Sequence, residues 1–312
     1  SLGFTGTIWL PLLSGFSVSY HVNPMDGAKI AEMVSQNHST ILLATPTFLL
    51  AYLRRAKPAD FASLRLVITG AEKLKKRVSD SFHERFGIRP LEGYGATELS
   101  PVISLNIHDV EIDGVRQIGS REDSVGHPLP GIAVRIVDPD TSESLPPGGS
   151  GLILIKGPNV MQGYLNRQQQ TTEVINDGWY VTGDIGHTDK DGFIYITDRI
   201  SRFSKIAGEM VPHKRIEDEF YARLNGAEQS IAVTSVPDER RGERLVVVFT
   251  KEAGQIEDLR KIMAESRLPN LWKPDDRSYI LIDAIPVLGS GKIDLKGLRQ
   301  LALSAVDEAV LQ

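Results

Sequence analysis

The sequence predicts an α/β protein: a truncated large domain followed by a small α+β carboxyl-terminal domain. Three observations lead to this class. Strand-like and helix-like segments alternate through the first hundred residues, short strands separated by turns follow to about residue 196, and the pattern changes again after Asp198. Alternating strands and helices are typical of parallel βαβ units, whereas short strands joined by tight turns are typical of antiparallel sheets.

The elements of the first part are predicted from caps, prolines and apolar spacing. Asp26 suits the cap of a helix that carries Ile30, Met33 and Val34 on one face. Pro46 suits the first turn of the next helix, since its missing N–H is unpaired there in any case. The remaining predictions are strands at 40–44 and 64–68 and a helix at 74–86.

The middle of the chain is rich in turn residues. The turns are predicted at 126–131, 146–149 and 189–192, with strands at 132–137 and 151–156. A barrel-like or strongly bent sheet is therefore expected.

Beyond Asp198 the pattern of a small α+β domain appears. We expect helices and strands near 214–224, 229–236, 245–251, 256–267 and 278–282. The predicted domains are 1–198, made of an α/β part (1–101) and a barrel-like part (102–198), and a small mobile domain over 199–312.

Composition excludes several classes of function. The 312 residues carry a formal net charge of −5, whereas nucleic-acid binders usually have a basic surplus. The chain has no cysteine, which excludes disulfides, thiol catalysis and cysteine-based zinc sites and fits a cytoplasmic protein. The most apolar stretch, 7–22, is shorter than the ~20 residues of a membrane span, so we expect a buried helix there.

A segment that runs Gly-Tyr-Gly-Ala-Thr-Glu is the first candidate for ligand binding. Gly93 and Gly95 flank Tyr94 and allow the backbone to approach a ligand closely. Thr97 offers a hydroxyl to a phosphate oxygen, and Glu98 offers a hard oxygen to Mg²⁺. These residues predict part of a site for a phosphate and its magnesium ion, with Thr97 and Glu98 as candidate catalytic residues. The alternative is an ordinary turn whose Glu is solvated.

Two further segments suit the rest of a nucleotide. The predicted strand 64–68 runs into Gly70, Ala71 and Glu72, and ligands of open α/β sheets bind outside the carboxyl ends of the strands. We therefore expect this turn to border the nucleotide base. Asp184 follows a tight Thr-Gly turn, and its carboxylate can accept hydrogen bonds from both ribose hydroxyls.

Lys292 stands on a loop of glycine and serine, which suits a cation that must reach an anion and then withdraw. Its ammonium can bridge a substrate carboxylate and the α-phosphate, where it would stabilise the charge that gathers during attack. The segment is not a Walker loop, because Pro286 replaces the first glycine and Ile293 follows the lysine. Attack needs no protein base, since a carboxylate is already ionised at neutral pH.

In their order and spacing, these motifs resemble the adenylate-forming superfamily of acyl-CoA synthetases, luciferases and peptide-synthetase adenylation domains. The resemblance implies that Arg199, fifteen residues after Asp184, also contacts the ribose or phosphate. It further implies that the small domain rotates after adenylation, withdraws the lysine and presents a second loop for thioester formation. The hinge maps to Ser201, where the family usually has Asp or Lys, and the implied thioester-step loop contains Lys205, Ala207, Gly208 and Glu209.

Within this superfamily, the segments around 91–95, 156–165, 205–211 and 288–292 are most similar to the acyl-acyl carrier protein synthetase part of bifunctional 2-acylglycerophosphoethanolamine acyltransferases. That resemblance implies ATP-dependent activation of a long-chain fatty acid to acyl-AMP and transfer to the thiol of acyl carrier protein, for reacylation of a lysophospholipid by a separate acyltransferase domain. The alternatives are a ligase that uses coenzyme A and a non-catalytic module that binds nucleotide or carrier.

An acidic carrier would need a basic dock. Candidates are Arg199, Arg202 and Lys205 near the loop and a second cluster at Arg240, Arg241 and Arg244, although both sets could equally be solvated charge.

The superfamily's upstream loop of Ser, Thr and Gly that ends in Lys and wraps the β- and γ-phosphates is absent from this sequence. We therefore expect upstream domains of the same polypeptide to supply it, and expect this chain alone to bind ATP weakly and to adenylate slowly or not at all. The expected location is the cytoplasm, with contact to the inner face of the membrane through parts of the parent protein outside this chain.

Overall fold

A computed structural model describes residues 2–224, 229–287 and 293–310. The chain divides into two compact units, Ser1–Thr197 and Asp198–Gln312.

The first unit begins with helical turns and continues as a parallel sheet covered by helices. Its helices are α1 (Leu2–Phe4), a π-helical turn (Thr5–Trp9), α2 (Leu10–Ser14), α3 (Gly27–Gln36), α4 (Pro46–Arg55), a 3-10 turn (Pro58–Phe61) and α5 (Lys76–Phe86). Its first strands are β1 (Ile41–Ala44), β2 (Leu66–Thr69) and β3 (Leu91–Gly95). Strand β2 pairs in parallel with both β1 and β3, which confirms the predicted βαβ arrangement.

Local chemistry sets the ends of these helices. The Asp26 carboxylate accepts a hydrogen bond from the Lys29 backbone N–H at 3.1 Å and so caps α3, as predicted. Helix α5 ends at Gly87, whose φ of +74° terminates the helix in the left-handed conformation. The apolar faces meet in a core that contains the fully buried rings of Phe61 and Phe82.

Antiparallel strands form the rest of the first unit. The elements are a 3-10 turn (Thr97–Leu99), β4 (Val102–Leu105), β5 (Val110–Ile112), β6 (Val115–Gln117), β7 (His127–Pro128), β8 (Ala133–Val137), β9 (Gly151–Lys156), α6 (Gln168–Val174), β10 (Ile175–Asn176), β11 (Trp179–Thr188) and β12 (Ile194–Arg199). Strands β4 and β7 extend the first sheet, β8 to β12 form a five-stranded sheet, and β5 and β6 form a separate hairpin. The strands predicted at 132–137 and 151–156 are confirmed as β8 and β9, whereas helix α6 was not predicted.

The second unit is one mixed sheet with helices on it. Its elements are a 3-10 turn (Ile200–Arg202), β13 (Phe203–Ile206), β14 (Glu209–Pro212), α7 (His213–Tyr221), β15 (Ile231–Asp238), β16 (Gly242–Phe249), a 3-10 turn (Lys251–Ala253), α8 (Ile256–Glu265), a 3-10 turn (Asn270–Trp272), β17 (Tyr279–Leu281) and α9 (Leu295–Val310). The strand order is β14–β13–β16–β15, with β17 parallel to β16. Alternate side chains of β15 and β16 pack into two apolar cores, one on each face of the sheet. Helix α9 lies on the second core and was not predicted.

The amino-terminal segment corrects one prediction. Residues 7–22 were expected to form a buried helix, but the helical turns stop at Ser14, and Pro11 is the one buried residue of α2. Leu12, Leu13 and Val22 are 71%, 81% and 98% exposed. Apolar composition alone does not show whether the rest of a unit has a surface against which such a segment can pack. In the described structure, the first unit leaves most of these side chains exposed. No helix in the described ranges is long and apolar enough to cross a bilayer.

Candidate functional site

The carboxyl ends of β2 and β3 bring two predicted binding segments together. Gly70 is buried, and a Cβ atom added to it would lie 3.7 Å from the carbonyl oxygen of Gly93. Ala71 has a φ of +69°, which turns the chain sharply after the strand. The Glu72 carboxylate accepts a hydrogen bond from the Thr47 hydroxyl at 2.6 Å, which ties this turn to the start of α4.

The glycine-rich loop after β3 folds back on itself so closely that one glycine is obligatory. A Cβ atom at Gly95 would lie 1.9 Å from the carbonyl oxygen of Pro101, and the Ala96 N–H donates to that same oxygen at 2.9 Å. The fold-back sets up the 3-10 turn that carries Thr97, whose side chain is exposed, and Glu98. A ligand can therefore approach this turn from solvent.

A hydrogen bond joins the first predicted motif to the second. The Tyr94 hydroxyl donates to Oδ2 of Asp184, a carboxylate that is only 6% exposed. The register of β11 against β9 shifts between Val181 and Ile185, and Gly183 has a φ of +72°. This bulge carries Asp184, so local strand irregularity places the carboxylate at the glycine-rich loop.

Tyr164 contacts a predicted site residue, and the sequence did not indicate this contact. Its hydroxyl donates to Oε1 of Glu98 at 2.8 Å. Burial, and secondarily the bond to Glu98, raises the pKa of Tyr164, so the hydroxyl stays protonated and remains a donor. No local signal marks this pairing, because the two residues are 66 positions apart.

The predicted magnesium ligand, Glu98, is a single carboxylate. Among the described residues, no group of three or more His, Asp or Glu side chains could hold a metal ion. Magnesium bound together with a nucleotide takes one or two carboxylates and completes its shell with phosphate oxygens and water. The donor set of Glu98 and Thr97 therefore fits a nucleotide-bound ion, and this role stays a prediction.

Apart from Lys292, the site residues predicted in the second unit lie on one continuous segment. Arg199 ends β12, and its N–H donates to Asp198 at 2.8 Å. Ser201 is exposed in the 3-10 turn before β13. The thioester-step residues occupy the β13–β14 hairpin: Lys205 is exposed on β13, Ala207 and Gly208 form the turn with φ of +49° and +86°, and Glu209 accepts a hydrogen bond from the Trp272 indole at 2.9 Å.

Arg202 has an interior role that the sequence did not indicate. Its guanidinium pairs with Glu217, a buried carboxylate of α7, and lies 3.9 Å from Asp198. Burial raises the pKa of Glu217, and the Arg202 charge opposes that shift. Since this cation is occupied inside the unit, Arg202 is removed from the predicted carrier-docking surface.

Lys292 and the rest of its loop lie outside the described residues. The structure shows the two sides of the loop's base, where Val287 bridges Ile293 and the Asp294 N–H donates to the Pro286 carbonyl at 2.8 Å.

These features bring three of the predicted binding segments together in one α/β fold. A turn after β2, a glycine-rich loop after β3 and a buried aspartate from β11 meet at one edge of the sheet. Residues 1–165 match the family model described as AMP-binding enzyme, so the chain belongs to this family, and the superfamily resemblance seen in the motifs is confirmed.

The relatives of this chain include several coenzyme A ligases. It is 34% identical to a feruloyl-CoA synthase of Amycolatopsis sp over 298 residues, which are 94% of this chain and 57% of the relative. It is 31% identical to a long-chain-fatty-acid–CoA ligase of Bacillus subtilis over 275 residues, 87% of this chain and 46% of the relative. The chain thus spans about half the length of the curated relatives it matches.

Solved structures agree with the fold. ATP-bound MatB from Rhodopseudomonas palustris matches with a TM-score of 0.66 and 27% identity, covering 88% of this chain and 53% of that one. An o-succinylbenzoate CoA synthetase from Bacillus subtilis has a TM-score of 0.72 at 22% identity over 93% of this chain and 57% of that one, which shows the shared fold.

Proposed function

We propose that this chain contributes the nucleotide site and the mobile carboxyl-terminal domain of an acid–thiol ligase, which activates a fatty acid with ATP and passes the acyl group to a thiol. The observation that carries the proposal is the hydrogen bond from Tyr94 to Asp184, because it joins the phosphate-side loop to the ribose-side carboxylate. Family membership and the fatty-acid and feruloyl ligases among the relatives support the reaction class.

Each residue has a part in the first half-reaction. Asp184 accepts hydrogen bonds from the ribose hydroxyls, and the 70–72 turn borders the base. Thr97 orients a phosphate oxygen, while Glu98 holds the magnesium ion, which neutralises phosphate charge when bound. Lys292 stabilises the negative charge that builds as the substrate carboxylate attacks the α-phosphorus and pyrophosphate leaves.

The second half-reaction is assigned to the second unit. Rotation at Ser201 withdraws Lys292 and brings the residues from Lys205 to Glu209 to the acyl-adenylate, where the acceptor thiol attacks the acyl carbon and AMP leaves. The CoA ligases among the relatives support coenzyme A as the acceptor. The similarity of the 205–211 segment to acyl carrier protein synthetases favours a carrier thiol as the second candidate.

The deciding experiment uses the complete polypeptide to which this chain belongs, with labelled fatty acid, ATP and either coenzyme A or acyl carrier protein. Transfer to coenzyme A with none to the carrier would reject the carrier candidate, and the reverse result would reject coenzyme A. Lys292→Ala is expected to abolish adenylation but to spare thioester formation from supplied acyl-adenylate. Equal loss of both steps would contradict the rotation, and absence of acyl-adenylate from the unmodified polypeptide would contradict the enzyme proposal.

A further inference from the structure

The carboxylate of Glu243 lies at the base of the predicted thioester-step loop. Glu243 is the second residue of β16, and its Oε2 accepts a hydrogen bond from the backbone N–H of Lys205 at 2.7 Å. Its Oε1 accepts from the hydroxyl of buried Ser235 at 2.9 Å and from the guanidinium of Arg299 at 3.1 Å. Three elements, β13, β15 and α9, are therefore tied together through one side chain.

The backbone of the loop has little other support on this side. Among the described strands, β13 and β16 share a single paired position, Ile206 opposite Gly242. The next tie is the Ala207 N–H, which donates to the Arg241 carbonyl at 2.8 Å. At the turn, a Cβ atom added to Gly208 would meet no atom within 4 Å, so neighbouring side chains do not pack against it.

The Lys205 N–H therefore donates to the Glu243 carboxylate and not to a backbone carbonyl of the neighbouring strand. A hydrogen bond to a charged acceptor is stronger than one to a neutral carbonyl. The side chain of Lys205 is exposed, while its backbone N–H is held from inside the unit. Loss of the carboxylate would leave that N–H without this acceptor and release the strand that leads into the turn.

We propose that Glu243 is a positioning residue for thioester formation, because it fixes the backbone that carries Lys205, Ala207 and Gly208. This inference rests on the proposed function, in which that loop acts in the second step. Glu243 itself touches no reacting atom in this assignment. The first step is expected to be independent of it, since the predicted adenylation residues Thr97, Glu98 and Asp184 belong to the first unit.

Four variants separate this role from general stability. Glu243→Ala removes the acceptor, Glu243→Gln keeps the shape and one acceptor oxygen, and Arg299→Ala removes only the guanidinium partner. Glu219→Ala is the matched control, since Glu219 is a similarly exposed carboxylate of the same unit, on α7, and pairs with Arg223 just beyond the end of that helix.

The first readout is amide hydrogen exchange in this chain. At Lys205, exchange is expected to accelerate about tenfold or more in Glu243→Ala, to be partly restored in Glu243→Gln, and to stay unchanged in the control. The second readout uses the complete polypeptide. Glu243→Ala is expected to slow thioester formation from supplied acyl-adenylate about tenfold and to leave adenylate formation within about twofold.

The outcomes divide cleanly. Unchanged exchange at Lys205, or equal slowing of both half-reactions, would overturn the positioning role. Failure of the unmodified polypeptide to form either acyl-adenylate or thioester would instead overturn the proposed function. If Glu243→Ala does not fold, Glu243→Gln is used for the comparison. In that variant, an unchanged ratio of the rates of adenylate and thioester formation, together with unchanged amide exchange at Lys205, would reject the inference.

Discussion

At the scale of single residues, hydrogen bonds hold both the backbone and the side chain of the buried Asp184. The Thr182 hydroxyl accepts from the Asp184 N–H at 3.0 Å and donates to the Ile153 carbonyl at 2.8 Å, which fixes the backbone. The Tyr94 hydroxyl fixes the side chain. In the proposed ribose site, a carboxylate held in this way would lose little conformational entropy on binding.

Asp184→Asn is expected to weaken ATP binding about 10- to 100-fold, because hydrogen bonds to a charged group contribute about 1.5–3 kcal/mol. The measurement is the dissociation constant of ATP by calorimetry, with the complete polypeptide. Asp177→Asn is the matched control, since Asp177 is exposed in the turn just before β11. Equal ATP affinity in the two variants would contradict the ribose assignment.

Glu92, next to the glycine-rich loop, predicts a pH-dependent stability. Burial raises the pKa of Glu92 from 4.5 to about 7. The hydrogen bond that its carboxylate accepts from the Leu74 N–H lowers the pKa by a smaller amount. Because the folded-state pKa lies above the unfolded one, the stabilisation is complete below pH 4.5 and is lost as pH rises through 7. The free energy of unfolding of the first unit should fall by about 2 kcal/mol between pH 5 and pH 8.

Glu92→Gln should flatten that pH profile, as measured by urea unfolding at several pH values. Glu122→Gln, at an exposed carboxylate nearby, should leave the profile as it is. An unchanged slope in Glu92→Gln would contradict the assignment of the pH dependence to this group.

At the scale of elements, β13 is anchored to α7 from inside the second unit. The Ser204 hydroxyl and the His213 ring form a hydrogen bond between two buried residues at the start of β13 and α7. The Arg202–Glu217 pair adds a second tie beside it. The hairpin that begins at Phe203 is therefore tied to α7 within the second unit, and the predicted hinge residue Ser201 comes just before the tied segment.

The same anchor predicts acid sensitivity. Burial, together with the positive charges of Arg202 and Arg299, lowers the pKa of His213 from 6.5 to about 3. A base with a depressed folded-state pKa contributes stability above pH 6.5, and that stability is lost as pH falls toward 3. The second unit should lose about 1.4 kcal/mol of unfolding free energy per pH unit between pH 6 and pH 4 from this group.

His213→Gln is expected to reduce this slope in denaturant unfolding followed on the second unit. The control is His83→Gln, at an exposed position of α5. A wild-type slope in His213→Gln would assign the acid sensitivity to other groups.

Elements were predictable where the pattern is local. The cap at Asp26, the helix start at Pro46 and the strands β1 and β2 all follow from a few neighbouring residues. Helix α6 has a polar sequence with three successive glutamines, and α9 lies against a core of residues distant in the chain. Helix α6 carries no apolar periodicity of its own, so tertiary packing decides it. Helix α9 does have apolar residues at helical spacing, at Leu295, Leu298 and Ala302, a signal that the predicted elements left out.

At the scale of the whole molecule, the amino-terminal segment leaves an extended apolar surface. Leu12 and Leu13 are both more than two thirds exposed, and Phe4, Phe16 and Tyr20 are each at least half exposed. Exposed apolar side chains of this kind promote association between molecules.

Replacing Leu12 and Leu13 together by Gln is expected to reduce light scattering of the chain at high concentration without lowering its melting temperature. These side chains lose little contact, because they are already in solvent. Leu49→Gln is the contrasting control, because Leu49 is fully buried on α4 and its replacement should cost several kcal/mol. A large loss of stability in the double variant would show that the segment packs more closely than the structure indicates.

The sequence by itself determined the class of this protein, since the Gly-Tyr-Gly-Ala-Thr-Glu, Thr-Gly-Asp and Gly-Ser-Gly-Lys motifs are each local in the chain and identify its superfamily. It also determined the parallel βαβ core, because apolar periodicity is read over a few residues. Only the tertiary structure decided that Tyr94 meets Asp184, that Tyr164 meets Glu98 and that Glu243 holds Lys205. Those contacts join residues 38 to 90 positions apart, and such pairings depend on strand order, register and bulges, which no local pattern encodes.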